Sequence, residues 1–257
     1  MNLRDLWVYR ELFYFLIWRD LKVRYKQTVL GVVWVIIQPL AATLIFTIFL
    51  GMLARVPSNG TPYALLVYTG LLPWTFFSTA LAGSSNSLVG NTHLITKVYF
   101  PRMIIPGAAI GGRLLDFGIA LVMLIPLMIY FGVAPTGNLL GLPLLVLLIT
   151  LLSWGVGMWT SALNVKYRDV SVILPVLIQL WMFVSPVAYP VSLVPEKWRW
   201  LYFLNPLAGI VEGFRAAILG GPFRWGPLAY STGATLMIFV YSAYAFRRME
   251  RSFADII

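Results

Sequence analysis

The 257-residue chain contains no cysteine and one histidine, His93. That excludes disulfide staples, thiolate metal sites, a cysteine nucleophile and any cluster of histidine ligands. Charge is also scarce: 11% of residues are Asp, Glu, Lys or Arg, against about 25% in an average soluble domain. None of the five lysines (Lys22, Lys26, Lys97, Lys166, Lys197) follows a glycine. A glycine-rich loop ending in Gly-Lys-Ser/Thr, which would cradle phosphates, is therefore missing, and any ATPase must be another subunit. No tandem repeat or low-complexity tract is visible, and a cleavable leader is not expected, because Arg4, Asp5, Arg10 and Glu11 crowd the start.

What the chain has in excess is apolar surface. Sixty per cent of it is apolar and the mean hydropathy is +0.84, which predicts an all-α integral membrane protein. Runs long enough to cross ~30 Å of hydrocarbon as helix occur at 29–53, 63–82, 103–131, 139–163, 170–189 and 226–246. The third is over-long, and Gly112 marks an alternative point of membrane crossing. Turn residues Pro57-Ser58-Asn59-Gly60 and Pro135-Thr136-Gly137-Asn138 separate the runs.

A seventh run, Leu201 to Leu219, is interrupted by Asn205-Pro206, Gly209, Glu212, Gly213 and Arg215. A lone charge near mid-bilayer costs at least ~2.5 kcal/mol. Six spans put thirteen of the nineteen bases on the inner side and five outside, with Arg113 inside the third span. Seven spans weaken that bias and strand Arg215 in lipid, so six spans with both termini cytosolic is the expectation. Residues 190–225 then form a long outer segment that re-enters protein, where irregular backbone is shielded from lipid. The net charge of +10 reads as a record of topology and not as a nucleic-acid face.

Ahead of the first span, residues 1–28 combine the apolar stretch Leu12 to Trp18 with Arg4, Glu11 and Lys22 at near-whole-turn offsets. Val8 and Phe15 interrupt that face. The expectation is an interfacial helix on the inner leaflet, with a plain basic topology anchor as the alternative.

Two ionisable pairs fall at helical spacing, Arg113 with Asp116 and Glu212 with Arg215. Each reads either as a substrate or gating contact or as a pair that lowers the cost of burial. Aromatic residues are 15% of the chain, more than interfacial belts alone require. On the first span Gln27, Gly31, Trp34 and Gln38 share one face, where amides beside an indole suit a sugar: the ring covers its apolar side and the amides bond its hydroxyls. Ordinary interhelical packing is the competing reading. Trp181 and Ser185 share a face of the fifth span, while Ser153, Gly157 and Ser161 follow small-xxx-small packing spacing.

Several strings occur in order: Arg24-Tyr25-Lys26 with Leu30-Gly31, Trp34 and Pro39; Lys97-Val98-Tyr99-Phe100-Pro101-Arg102; Tyr167-Arg168-Asp169; Ser185-Pro186-Val187-Ala188-Tyr189-Pro190; and Asn205-Pro206. Together they resemble the six-span permease subunits of type-2 ABC exporters, especially those exporting O-antigen, capsule, teichoic acid and related polysaccharides. The resemblance implies a homodimer in the bacterial cytoplasmic membrane, with two ATPase subunits holding ATP and Mg on the cytosolic side and no cofactor in this chain. It implies an ATPase-coupling loop with Asn91, Thr92, His93, Lys97, Tyr99, Phe100, Pro101 and Arg102, and a second contact at Tyr167, Arg168 and Asp169. Trp198, Trp200, Tyr202, Asn205, Pro206, Glu212 and Arg215 would belong to an outer gate. An undecaprenyl-type lipid-linked polysaccharide would arrive beside the interfacial helix, among membrane lipids, with its pyrophosphate meeting Arg19, Lys22, Arg24 and Lys26. The glycan would then pass Gln27, Trp34, Gln38, Trp181, Ser185 and Tyr189. A drug or lipid exporter of the same superfamily, or a membrane enzyme acting on lipid or glycan, is the alternative.

Overall fold

The computed structural model describes residues 8–26, 31–58, 60–98, 100–250 and 253. Arg4, Gln27 and Tyr99 lie outside the described residues. Among the described residues the chain is helical, with no strand. Helix α1 (Arg10–Lys26) precedes α2 (Val33–Phe46), which continues as a π-helical stretch, Thr47–Leu53. Then come α3 (Tyr63–Gly90), the short α4 (Thr92–Lys97), α5 (Ile104–Val122) and α6 (Leu124–Tyr130). A 3₁₀ turn leads into α7 (Leu142–Lys166), followed by α8 (Val170–Phe183), α9 (Glu196–Tyr202), α10 (Pro206–Leu219) and α11 (Trp225–Glu250).

Among the described residues, four helical segments are long and apolar enough to cross a membrane: Val33–Leu53, Tyr63–Gly90, Ile104–Tyr130 and Gly137–Lys166. Gly112 lies well inside α5, which begins as helix at Ile104. The expected run 170–189 is helical only through Phe183. Its 14 residues cover about 21 Å at 1.5 Å per residue, and Ser185-Pro186 then disfavours further helix. α11, with 26 residues, covers about 39 Å, but Ser231, Thr235 and Ser242 lower its hydropathy and are buried against its neighbours.

Helix α3 occupies the centre, buried along most of its length and packed against α2, α5, α7 and α10. Where solvent is lipid, helices gain little from hiding apolar surface and associate instead through close packing of small residues. Gly157 of α7 meets Ser84 of α3 with no room for a methyl group, and Ser153 and Ser161 are fully buried. A Cβ at Gly155 would lie 3.0 Å from the Phe239 backbone of α11.

Helix α1 lies in a groove on α5 formed by two glycines four residues apart. A Cβ at Gly107 would sit 3.2 Å from the Phe13 ring, and one at Gly111 would sit 2.6 Å from Ile17. Leu16 and Leu21 are buried, while Tyr14, Phe15, Trp18 and Val23 are exposed. α1 is therefore apolar on two sides, one against α5 and one outward, which explains why its polar face reads as interrupted in the sequence. Lys22 stays exposed with its ammonium 5.5 Å from the Trp18 ring centre.

Gly157→Ala overpacks the α3–α7 seam and is expected to lower the apparent melting midpoint in detergent by about 3–8 °C. Gly118→Ala, inside α5 with nothing within 4 Å of its added Cβ, leaves it unchanged or slightly higher, since alanine is the better helix former; differential scanning fluorimetry reads both.

Candidate functional site

The end of α1, the start of α2, the middle of α3 and the second half of α5 border a cavity of about 210 Å³. Gly31, at φ 48° in the left-handed region that glycine tolerates, starts the turn that carries the chain into α2. One turn on, Trp34 and Gln38 are exposed and line the cavity, with Thr75 and Thr79 of α3 and Phe117 of α5. Arg24, Tyr25, Arg113 and Asp116 form its polar part.

Asp116 organises that polar part. Arg24 Nη1 donates to Asp116 Oδ2 at 2.6 Å, and the Tyr25 hydroxyl donates to Asp116 Oδ1. Arg113 Nη1 lies 3.5 Å from the same Oδ2. The i,i+3 pair expected from the sequence is thus present, but the closer partner of Asp116 comes from α1, 92 residues earlier in the chain. Burial, then the hydrogen bond to the Asp116 carboxylate, push the Tyr25 hydroxyl up to about 12. It stays a protonated donor at neutral pH. With two guanidinium groups facing one carboxylate, the pocket retains a net positive charge that an anion can approach.

A shallower groove of about 500 Å³ adjoins the cavity and shares Arg24 and Arg113 with it. Arg19, Asp20, Asn86, Ser87 and Asn91 complete its polar rim. Arg19 Nη2 donates to Asp20 Oδ1 and Asn91 Oδ1, both at 2.8 Å. Of the four bases expected to meet pyrophosphate, Arg19 and Arg24 are therefore held by protein partners, whereas Lys22 and Lys26 stand exposed.

Helix α4 carries His93 and Lys97 exposed, with Ile95 and Phe100 buried beneath. Asn91 Nδ2 donates to Ser87 O at 2.8 Å, so Arg19 ties α1 to the junction of α3 and α4. Thr92 and Pro101 are half-buried, and Arg102 turns toward Glu250 at the end of α11. Tyr167, Arg168 and Asp169 are exposed beyond α7, with Lys166 5.2 Å from the Tyr167 ring centre.

At the other end, Asn205 Oδ1 accepts from Leu207 N–H at 3.1 Å and Pro206 opens α10, the capping arrangement that their order predicts. The same Oδ1 accepts from Trp181 Nε1 at 3.0 Å, and Asn205 Nδ2 donates to Ser185 Oγ at 2.9 Å. Trp181 meets Phe77 edge-on at 5.1 Å, and Ser185 is fully buried. Trp181 is half-buried and Ser185 buried at the end of α8; grouped with Trp34 from the sequence, they do not line the cavity with Trp34 and Gln38. Arg215, 6% exposed, donates to Glu212 Oε1 at 2.9 Å, Tyr189 O at 3.1 Å and Val187 O at 2.9 Å. It thereby clamps the loop after α8 to α10. Tyr189 and Tyr202 meet through their hydroxyls at 3.3 Å, and Trp198 and Trp200 are exposed.

The sequence reading assigned no contact to Tyr25, Thr75, Thr79, Asn86, Glu250 or Phe253. Thr75 and Thr79 share one face of α3 at i,i+4, a signal present in the sequence, whereas the partners of Tyr25 and Glu250 are far away along the chain. Among the described residues no group of three or more His, Asp or Glu converges to hold a metal.

Comparison with known proteins places this arrangement. The O-antigen export system permease protein RfbA of Myxococcus xanthus is 31% identical over 215 residues, covering 83% of this chain and 82% of that protein. A Klebsiella pneumoniae protein of the same name is 29% identical over 242 residues, 93% of this chain and 92% of that one. The polysialic acid transport protein KpsM of Escherichia coli is 28% identical over 243 residues, 91% of this chain and 92% of its own length. Residues 11–219 match the family described as ABC-2 type transporter. An integral membrane chain of packed helices, the chain belongs to the ABC-2 type transporter family.

Proposed function

We propose that this chain is the permease subunit of an ATP-driven exporter that moves a lipid-linked polysaccharide across the bacterial cytoplasmic membrane. Two copies form the channel, and two ATPase subunits, which hold ATP and Mg, dock on the cytosolic loops. Each copy crosses six times, with the shorter α8 and the long α11 added to the four segments of sufficient length and hydropathy, and with both termini cytosolic. Residues 190–225 form the outer re-entrant segment, with the outer gate at Pro195 to Leu219.

The observation that carries this reading is the cavity in which Trp34 and Gln38 stand beside Arg24, Tyr25, Arg113 and Asp116. An indole and an amide suit a sugar, and paired guanidinium groups suit a phosphate. A lipid-linked glycan presents both chemistries at its junction. The adjoining groove, rimmed by Arg19, Asn86 and Asn91, supports arrival along α1, with Lys22 and Lys26 as exposed first contacts for its pyrophosphate. The names of the relatives, an O-antigen export permease and a polysialic acid transport protein, support the same substrate class.

In the mechanism, ATP binding closes the partner ATPase dimer and pushes the inner loops at His93, Lys97 and Tyr167 to Asp169. The push moves α5 and the first and fifth spans. α1 is held to α5 by Arg24 and to the α3–α4 junction by Arg19, so it moves with the loops and widens the way in. Trp34 and Gln38 guide the glycan, while the Asn205 and Arg215 contacts set the outer opening.

Deleting the gene is expected to remove surface polysaccharide; intact polysaccharide with raised sensitivity to a small amphiphile supports instead a drug or lipid exporter. Trp34→Ala should lower glycan export by about fivefold to tenfold, the loss of roughly 1 kcal/mol of ring contact, without changing thermal stability. Trp181→Ala should lower the melting midpoint by about 5 °C or more, because it strips a packed indole and a partner of Asn205. Equal effects of the two substitutions on both readouts contradict the separate roles. Asp116→Asn should raise tryptic cleavage after Arg24 and Lys26 by about tenfold, through loss of roughly 1–2 kcal/mol of pairing, and an unchanged digestion rate contradicts the tie between α1 and α5.

A further inference from the structure

Helix α11 touches both ends of the molecule. Near its start it packs on α10: a Cβ at Gly209 would lie 2.6 Å from Pro227 O, and one at Gly213 would lie 3.5 Å from Leu228. At its other end it holds the turn that joins α4 to α5. Arg102 N–H donates to Glu250 Oε1 at 3.0 Å, and Arg102 Nη1 donates to Glu250 O at 3.0 Å. The Arg102 guanidinium also lies 5.9 Å from the centre of the Phe253 ring. Phe253 is 1% exposed and meets the buried Phe246 edge-on at 5.6 Å. Both rings belong to a core that includes Ile95, Phe100, Met103 and Leu16, so the inner loop and α1 rest on the C-terminal end of α11. The family match ends at residue 219, which leaves α11 and Phe253 beyond it.

A helix packed tightly at both ends transmits displacement along its axis, because its hydrogen-bonded backbone compresses little while its end contacts are specific. We propose that α11 is a strut carrying motion of the ATPase-facing loop to the outer helix α10, with Glu250 and Phe253 as the positioning residues that seat it on Arg102. This rests on the permease reading above. α5 takes the same push directly, so the strut gives the outer end its own connection to the inner loop.

The chain has no cysteine, so a single nitroxide can be introduced at Val98→Cys, beside the inner loop, or at Leu204→Cys, just before α10; both positions are exposed. The complete transporter, permease with its ATPase, is studied in nanodiscs with and without ATP. In the parent chain both labels are expected to change mobility on ATP binding. In Glu250→Ala and Phe253→Ala, the Val98 label should still respond while the Leu204 response and glycan exported per ATP fall by at least about fivefold, the lower end of ordinary coupling. Glu250→Gln keeps a carbonyl oxygen for Arg102 N–H and should restore the response. Should Phe253→Ala fail to assemble because it empties a buried site, Glu250→Ala, at the helix end, decides the matter. An undiminished Leu204 response in the alanine variants overturns the strut, as does parallel loss at both labels, which marks a merely structural contact. A parent chain whose labels both ignore ATP overturns the ATP-driven reading itself, and the strut with it.

Discussion

A carboxylate among apolar helices must find positive partners or lose its charge, since the hydration it would have in water is gone. Asp116 meets that requirement with Arg24 and Tyr25 of α1 and Arg113 of its own helix. The consequence reaches beyond one ion pair. α1 is fixed along α5 by charge at Arg24 and by shape at Phe13 and Ile17 over Gly107 and Gly111. Arg19 extends the attachment to Asn91, where α3 gives way to α4. The cavity then follows from the geometry, with α1 and α5 supplying ions, α2 an indole and an amide, and α3 two hydroxyls.

The end formed by α8 and α10 obeys the same rule with different chemistry. Arg215 is almost wholly buried, and besides Glu212 it takes two backbone carbonyls from the loop that follows α8. Those carbonyls need donors because α8 stops after Phe183 and leaves them outside a helix. Gly70 permits the approach: a Cβ there would overlap Val187 O and lie 3.0 Å from the Arg215 guanidinium. The short α8, the buried arginine and the glycine of α3 are thus one solution to an unsatisfied stretch of backbone.

Features written in local spacing were legible from the sequence. The long apolar segments, the Asn205-Pro206 start of α10, the Glu212–Arg215 contact and the close packing at Gly157 each depend on residues a few positions apart or on composition. Features created by tertiary approach were not. Arg24 and Asp116 are separated by 92 positions and Arg102 and Glu250 by 148, and no periodicity connects them. Trp34 and Trp181 illustrate the limit within the candidate site. Both are indoles on apolar helices, but Trp34 is 54% exposed beside the cavity while Trp181 is bonded to Asn205 and packed on Phe77. Only the packing of neighbouring helices separates an exposed ring from a half-buried one.

The central claim is that this chain provides the path and a separate subunit the energy. Its most direct test is transport in proteoliposomes holding the purified chain, its ATPase and a lipid-linked polysaccharide, scored by access of an externally added glycosidase to the glycan. The account predicts that glycan becomes accessible only when both subunits and ATP are present, and that the chain alone neither hydrolyses ATP nor moves glycan. ATP hydrolysis by the purified chain, or full ATP turnover by the complex with no glycan crossing, would contradict it.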